Sequence, residues 1–390
     1  MDDSFVLGRL TSMQYSPRTL DILYKSSIIT LVGVPLVGVL TAMILAWKRI
    51  FFPMDLAVLL AFHTVACMGI TVGYHRMLTH QGFVAPAWLR LIILICGAMA
   101  FEGTPAQWAA THIKHHAHSD EEGDPHSPLE GFWHAHIGWL FARTNFPEVR
   151  KYAPQLLDDP VVLFVTRTTF LWMGLSLFIP YLVGGWTGFV WAGLVRVFLT
   201  THVTWAVNSV CHTFGKREFE TTDASRNHWL IRLLAYGEGW HNNHHAFPRN
   251  AFHGMRWWQL DLCDLFIRIC ELLGLVTQVQ RVSPEAANEQ RVRALRVSGK
   301  VDLLRMQLQH AAEAAQAEVE RLFQQSIAAT GDSSLQVRMG EYIARIADIR
   351  RSVSSPLRVK HSRLEGYASQ IQIVLEQARA MAQRTASAVG

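Results

Sequence analysis

Charged side chains are scarce in this chain of 390 residues: they make up 17%, where an ordinary soluble domain has about 25%. Half of the residues are hydrophobic. This composition excludes a disordered chain and a nucleic-acid binder built on a basic face. The five cysteines form no Cys-x-x-Cys pair, and the first 25 residues lack a compact apolar core. We therefore expect no cleaved signal and no disulfide scaffold, but reduced thiols.

The formal net charge of +5 comes from the last part of the chain. Residues 281–390 hold 16 Lys and Arg against 11 Asp and Glu, and all 13 Trp precede them. The amino-acid composition of the chain changes at this point, so we predict separate domains. These are a cytoplasmic N-terminal segment (1–25), a membrane domain (26–280) and a basic helical extension (281–390).

Long uncharged runs accompany the scarcity of charge. Residues 26–47 and 56–74 contain no Asp, Glu, Lys or Arg, and residues 161–211 contain only two charged side chains. About 20 helical residues cross the roughly 30 Å hydrocarbon core of a bilayer. The sequence GGWTG at 184–188 divides the third run, so we predict four transmembrane helices. The apolar run 91–101 is too short to span and predicts an interfacial or re-entrant helix.

Four spans place the N-terminus, the connection 75–160 and everything after about residue 210 on one face. Most loop Lys and Arg lie on that face, whereas the opposite face has only Lys48 and Arg49. The positive-inside rule makes the larger face cytoplasmic and places both termini there. The predicted fold is an all-α integral membrane protein with four transmembrane helices, a cytoplasmic helical cap and a C-terminal helical tail.

The tail is rich in Ala, Gln, Arg and Glu, and apolar residues recur in it at spacings of four and three, as on one face of a helix. That face consists of Leu304, Leu308, Ala311, Ala315, Val319 and Leu322. Breaks at 331–334 and 354–356 leave about three helices. A helical bundle that mediates association with itself or with a partner is the favoured role, and a membrane-surface or regulatory role is the alternative.

Histidine is unusually frequent, with 19 residues. Three clusters, HRMLTH, HIKHH and HNNHH, all fall on the predicted cytoplasmic face. In His-x-x-His-His, residues three and four apart share a helix face, so their imidazoles can converge on an ion. The candidate ligands are His75, His80, His112, His115, His116, His241, His244 and His245.

The spacing within the first cluster and the number of imidazoles carry further information. His75 and His80 are five residues apart, about 140° round an ideal helix, so one of them is expected beyond the last regular turn. Eight imidazoles without a cysteine are too many for one tetrahedral zinc ion. Imidazole suits iron, so the clusters predict two iron ions.

Here the sequence resembles the membrane fatty-acyl desaturases, specifically the stearoyl-CoA or Δ9 type and its bacterial and cyanobacterial relatives. The resemblance covers about residues 25–280, and its motifs occur in the family's order. They are GYHRMLTH (73–80), residues 108–120, GFWHAHIGWLFAR (131–143), NSVCHTFG (208–215) and residues 237–248. It implies a di-iron centre with nine histidine ligands, the ninth being His212. Asn208, one helical turn earlier, matches a residue that holds a water near one iron.

The resemblance also concerns the substrate. It places Thr204 and Trp205 beside the bend of an acyl tunnel, and His63 and Cys67 near its closed end. An aromatic and a small residue are frequent at that end, so His63 departs from the pattern.

Lys114 and Arg143 are the candidates for contacting the headgroup or carrier. Vertebrate acyl-CoA enzymes have a basic pair where Arg143 is followed here by Thr144. This difference leaves both CoA and phospholipid open as the acyl carrier.

For the other acidic and histidine residues of the predicted cap we expect structural roles. Glu121, Glu122 and Asp124 could orient ligand imidazoles, although exposed loop acids are the favoured interpretation. Four further histidines are expected to be hydrogen-bonded or exposed: His118, His126, His134 and His136. Nothing in the sequence assigns His202, inside a predicted span, to a metal.

The resemblance implies an oxidoreductase of a bacterial inner membrane that uses O₂ to introduce a cis double bond, at Δ9, into a saturated fatty-acyl chain. The sequence has no GxGxxG unit, no Cys-x-x-Cys and no HPGG haem motif. A separate electron donor of the ferredoxin, rubredoxin or cytochrome type, with its reductase, is therefore expected. The alternatives are a membrane di-iron hydroxylase of alkyl or lipid chains, a zinc-dependent membrane hydrolase and a non-catalytic scaffold.

Overall fold

A computed structural model describes residues 16–354 and 361–387, and every regular element in these ranges is helical. The chain divides into two compact units between Ala287 and Asn288. The α-helices are α1 (Pro17–Trp47), α2 (Pro53–Met68), α3 (Ala87–Ala98), α4 (Pro105–His118), α5 (Phe132–His136), α6 (Val149–Tyr152), α7 (Pro160–Gly188), α8 (Arg196–Cys211), α9 (Trp229–Leu234), α10 (His241–Ala246), α11 (Leu262–Leu272), α12 (Pro284–Thr330), α13 (Ser334–Ser354) and α14 (His361–Ser387). Gly69–Thr79 and Phe189–Val195 are π-helical, and 3₁₀ turns occur at Pro128–Glu130, Gly138–Phe141, Arg143–Asn145 and Pro154–Leu157.

Local sequence explains where the principal helices begin. Proline occupies the first position of α1, α2, α4 and α7, where a missing N–H costs no hydrogen bond. Three of these helices also have a side-chain cap. The capping residues are Ser16, Thr104 and Asp159, which accept hydrogen bonds from backbone N–H groups of the first turn.

Three helical segments are long and apolar enough to cross a membrane: Arg18–Trp47, Pro53–Thr79 and Pro160–Cys211. The third is 52 residues long, about twice the length of either other segment. The apolar α3 has only 12 residues and is too short to belong with them.

The third apolar segment folds back on itself. Gly185 has φ 57° and ψ −142°, a conformation outside the helical region that glycine adopts without strain. Beyond it, Arg196 Nη2 donates to Ser176 O at 3.1 Å and to Ser176 Oγ at 2.9 Å. In a straight helix these residues would be about 30 Å apart. The segment is therefore a helical hairpin with its turn inside the predicted GGWTG break.

An apolar core fixes the helices that carry the first two histidine clusters. It includes Tyr74, Leu94, Ala109, Val165 and Ile267. It therefore joins the first π-helical segment (Gly69–Thr79), called the π-helical segment below, to α3, α4, α7 and α11. The π-helical segment and α3 approach closely, because a Cβ atom at Gly69 would lie 2.0 Å from Gly97 N. Glycine at this position is thus a steric requirement for the crossing.

The second unit has its own core, formed by α12, α13 and α14. Leu308, Ala315 and Val319 are buried as their periodicity predicts, and Leu304 packs against them. Two positions of the predicted face were wrong: Ala311 is exposed and Leu322 half-buried, whereas Ala312 and Phe323 are buried. The buried positions, from Leu308 to Phe323, follow spacings of four, three, four and four, as on one face of an α-helix. The break near 331 is confirmed, and the one at 354–356 lies partly outside the described residues.

We expect Gly69→Ala to lower the stability of the first unit, because overpacking a close helix crossing costs about 1–3 kcal/mol. Gly33→Ala is the matched control, since a Cβ there would meet nothing within 4 Å. The measurement is the apparent midpoint of thermal unfolding in detergent, followed by tryptophan fluorescence. Equal midpoints for the two variants would contradict the close crossing.

We expect residues 1–290 to fold without the rest of the chain, because each unit has a core of its own. All 13 Trp precede residue 281, so tryptophan fluorescence reports on the first unit alone. The truncated and full-length proteins should unfold with the same midpoint, and an isolated 288–390 chain should be helical by circular dichroism. A truncated protein that loses its cooperative transition would show that the units depend on each other.

Candidate metal centre

Four parts of the first unit bring the nine predicted ligands together. The π-helical segment and the residue directly after it supply two histidines, and α4 supplies three. The residue directly after α8 supplies one, and α10 supplies three. All nine are buried or half-buried. The residues, in that order, are His75, His80, His112, His115, His116, His212, His241, His244 and His245.

A π-helical turn explains how His75 and His80 share one face. The His80 N–H donates to His75 O at 3.1 Å, a hydrogen bond that spans five residues. Such a wide turn places residues i and i+5 nearly above each other, and the two ring centroids are 4.8 Å apart. The expectation that one ring lies beyond the last regular turn is confirmed, because the segment ends at Thr79.

The nine imidazoles form two groups, and within each group the ligand nitrogens lie within 4.8 Å of one another. The group of five consists of His75, His80, His112, His116 and His244. The group of four consists of His115, His212, His241 and His245. Consecutive residues of a helix point about 100° apart. The adjacent histidines at the end of each His-x-x-His-His therefore serve different groups, and α4 and α10 each contribute to both.

Several ring nitrogens are as far apart as two nitrogens that bind the same metal ion. Two nitrogens bound at about 2.1 Å to one ion, at right angles to each other, are roughly 3 Å apart. Four Nε2–Nε2 pairs have such separations, and each joins members of one group. They are His75–His244 at 3.1 Å, His116–His244 at 2.9 Å, His112–His116 at 3.1 Å and His212–His241 at 2.9 Å.

Burial of unsatisfied nitrogens provides an independent sign of a metal site. Within the described residues, His80 Nε2, His115 Nε2 and His245 Nε2 are buried and have no hydrogen-bond partner. A buried unsatisfied polar atom costs about 1–3 kcal/mol, which a bound ion would offset. Burial, reinforced by neighbouring imidazoles, also holds the pKa of His112 and His241 well below its ordinary value. Neutral imidazole is the form that binds metal.

Four carboxylates orient candidate ligand rings by a contact to Nδ1, the ring nitrogen that faces away from the centre of the group. Each accepts a hydrogen bond from Nδ1–H of one imidazole, which leaves Nε2 free to face an ion. The pairs are His115–Asp124, His212–Asp120 and His245–Asp223, each at 2.9 Å, and His75–Glu238 at 2.8 Å. Burial raises the pKa of the Asp124 carboxyl, but the charge and hydrogen bond of His115 outweigh it and keep that pKa below its usual range.

The sequence named only one of these carboxylates, Asp124, and the favoured interpretation of it as an exposed loop acid was wrong, because Asp124 is buried. Asp124 orients a ligand, whereas Glu121 and Glu122 are exposed, as loop acids usually are. Asp120 and Glu238 lie within four residues of a histidine cluster, and that proximity was an available signal. Asp223 has no such signal, because only the fold brings it to His245.

Arg76 is buried beside the group of five and is bonded on several sides. Its guanidinium donates to Asp261 and Asp264, each at 2.8 Å, to Glu238 at 3.3 Å and to Ala251 O at 3.0 Å. A buried cation needs such pairing to be tolerated. No sequence pattern singles out Arg76, although it follows His75 directly.

His253 was also missed. Its buried ring lies against two ligand rings, with centroids 5.4 Å from His75 and 4.6 Å from His244. It stands within 3.1 Å of Arg76 Nη2. Burial and the charge of Arg76 hold the pKa of His253 well below its ordinary value, so this ring is neutral.

The residues predicted to line an acyl tunnel lie within the apolar segments. His63 is buried, 3.0 Å from Thr200 Oγ1 and 3.6 Å from Cys67 Sγ, and so joins α2 to α8. Thr204 Oγ donates to Thr200 O at 3.0 Å. Trp205 is buried and packs against α1.

The remaining predicted residues lie around the centre. Lys114 Nζ donates to Asn145 O, two residues beyond the exposed Arg143, so both cations lie in one region of the first unit. Asn208 is half-buried in α8, one turn before His212. His136 forms hydrogen bonds with Ser209 and with His202, as expected of a structural histidine.

Comparison with known proteins agrees with this arrangement. The family model described as "Fatty acid desaturase" matches residues 53–270. An sn-1 stearoyl-lipid 9-desaturase of Anabaena variabilis is 41% identical over 224 residues, which are 57% of this chain and 82% of that protein. A chloroplastic palmitoyl-monogalactosyldiacylglycerol delta-7 desaturase of Arabidopsis thaliana is 43% identical over 58% of this chain and 61% of its own length. An acyl-CoA C20 Delta5-desaturase of Anemone leveillei is 42% identical over 54% and 69%, respectively.

The matched region contains all nine histidines and all four orienting carboxylates. The identity extends over more than four fifths of the Anabaena protein. The chain therefore belongs to the fatty acid desaturase family and is an oxidoreductase that acts on acyl lipids.

Proposed function

We propose that the protein is an O₂-dependent di-iron desaturase that introduces a cis double bond, at Δ9, into a saturated fatty-acyl chain within a membrane. The observation that carries this proposal is the pair of converging histidine groups at the ends of apolar helices. The imidazole ligands, without cysteine or directly converging carboxylate, suit iron better than a tetrahedral structural zinc.

Nine residues would hold the two ions in the two groups defined above. Bound iron would supply O₂ activation and the removal of two hydrogen atoms from adjacent methylenes. With two electrons and two protons from outside, the oxygen leaves as water. Asp120, Asp124, Asp223 and Glu238 keep Nδ1 of their partner imidazoles protonated and Nε2 directed inward. Asn208, beside His212, would hold a water through its amide.

The protein would contribute to catalysis chiefly by positioning the substrate. An unactivated methylene reacts only if it is held close to the oxidising centre in a geometry fixed before the reaction. The buried contacts of His63, Cys67 and Trp205 lie among apolar helices, which supports a water-excluding channel there. We assign Thr204 and Trp205 to its bend, and His63 and Cys67 to its closed end.

We assign the acyl carrier to a membrane lipid, with CoA as the alternative. Arg143 is followed by Thr144 rather than by a second cation, so a polyphosphate carrier has less charge to bind. The Anabaena relative is an sn-1 stearoyl-lipid 9-desaturase, which acts on a lipid-bound acyl chain. Lys114 and Arg143 would contact the headgroup.

We further propose four transmembrane spans, with the helical hairpin of α7 and α8 supplying the last two. The active site and both termini would then face the cytoplasm of a bacterial inner membrane, where Lys and Arg are concentrated. Electrons would come from a separate ferredoxin, rubredoxin or cytochrome-type donor with its reductase. The 281–390 extension would mediate association with a second copy or with a partner.

We expect His115→Ala and His244→Ala, one from each group, to abolish product formation and to lower the iron content per chain. Each removes one ligand nitrogen from a buried site. His310→Ala is the control, because its side chain in the second unit is 80% exposed. The measurement is double-bond position in free, CoA-linked and phospholipid acyl pools of a host with saturated lipids. Alcohols instead of alkenes would identify a hydroxylase, and unchanged product from either variant would refute the assigned ligands.

We expect His212→Ala and Asn208→Ala to differ. His212 is buried with Nε2 2.9 Å from that of His241, so its loss should release or loosen one iron and remove activity. Asn208→Ala should keep both irons and lower turnover, because only a water loses its anchor. Iron content measured beside product formation distinguishes them. A fully loaded, active His212→Ala enzyme would limit the site to eight ligands.

A further inference from the structure

The two histidine groups differ in the number of buried carboxylates that accept a hydrogen bond from their imidazoles. Three of the four imidazoles in the group of four donate Nδ1–H to a buried carboxylate at 2.9 Å. Within the part of the chain that the structure describes, His75 alone does so in the group of five, to Glu238 at 2.8 Å.

The carboxylate behind the group of five is shared with a cation. Glu238 Oε2 accepts from His75, while its Oε1 accepts from Arg76 Nη2 at 3.3 Å. Asp261 and Asp264 bind the same guanidinium, each at 2.8 Å. Arg76 thus weakens the negative potential of the one carboxylate that accepts from an imidazole of this group, while Asp261 and Asp264 are hydrogen-bonded to the guanidinium and not to a candidate ligand ring.

The carboxylates behind the group of four are held mainly by neutral donors. Asp124 Oδ2 accepts from the Asp120 N–H at 2.8 Å, and Asp120 Oδ2 accepts from the Ala224 N–H at 2.7 Å. Asp223 Oδ1 accepts from the Ser225 N–H at 2.9 Å. Arg217 also lies nearby and donates to the backbone carbonyl oxygens of Asp223 and Ser225. Backbone donors fix the position of a carboxylate while leaving its full negative charge in place.

A carboxylate bonded to the far nitrogen makes an imidazole a more basic ligand, and removing such a partner lowers metal affinity by about 10- to 100-fold. The group of four has two more of these partners, whereas the group of five has one more imidazole. We propose that the group of four binds its metal more tightly, and that Asp120, Asp124 and Asp223 are positioning residues that set the difference. This rests on the proposed di-iron centre and adds an order of metal release to it.

The test is a chelator titration of the full-length iron-loaded protein under anaerobic conditions, with iron per chain measured at each chelator concentration. The wild type should lose iron in two separate steps, with a plateau near one iron per chain. Asp124→Asn and Asp223→Asn should each move the second step to about 10- to 100-fold lower chelator and leave the first in place. Glu238→Gln, the matched control, should move only the first step.

The two aspartate variants lie in different loops, so a folding defect in one leaves the other to decide, with circular dichroism as the check. Two irons that leave the wild type in a single step would refute this proposal alone. It is also refuted if Glu238→Gln moves the second step, or if the aspartate variants move only the first. A wild-type protein that binds no iron after anaerobic reconstitution would instead refute the di-iron centre itself.

Discussion

The structure depends on the burial of nine imidazoles whose inward nitrogens face one another. Bringing such groups out of water without partners is costly, and each approach near 3 Å between Nε2 atoms brings together two polar atoms that are shielded from water. Two features make the arrangement tolerable. Burial and neighbouring imidazoles hold the pKa values of His112 and His244 well below the ordinary value, so these two rings are neutral. Four of the nine imidazoles also donate Nδ1–H to a buried carboxylate, which fixes the tautomer and the direction of the free nitrogen.

Helix geometry divides these nitrogens between the two groups. In α4, His112 and His116 are four residues apart and belong to one group, while His115 belongs to the other. In α10 the assignment is reversed, since His241 and His245 share one group and His244 belongs to the other. A helix that carries His-x-x-His-His thus contributes to both groups, and two such helices hold the groups at a fixed separation.

Apolar packing at a distance from the centre determines whether these helices meet. The π-helical segment reaches α3 at Gly69 and Gly97, and Tyr74 and Ala109 share the core that joins it to α4. The hairpin turn at Gly185 returns the chain so that α8 ends at the centre and delivers His212. Ion pairs of Arg76 with Asp261 and Asp264 then hold the beginning of the first histidine cluster against α11. The position of the histidine groups therefore depends on the packing of the long apolar helices as much as on α4 and α10.

The sequence by itself determined the apolar segments, the helical tail and the eight clustered histidines, because these features are periodic or contiguous along the chain. The resemblance to membrane desaturases added His212, which no local pattern distinguishes. Only the tertiary structure decided which imidazoles belong to which group, since that depends on how α4, α8 and α10 face one another. It also decided the roles of Asp120, Asp223 and Arg76. Asp223 is 22 residues from His245 and 2.9 Å from it in space, and a hydrogen bond between distant segments leaves no periodic trace in a single sequence.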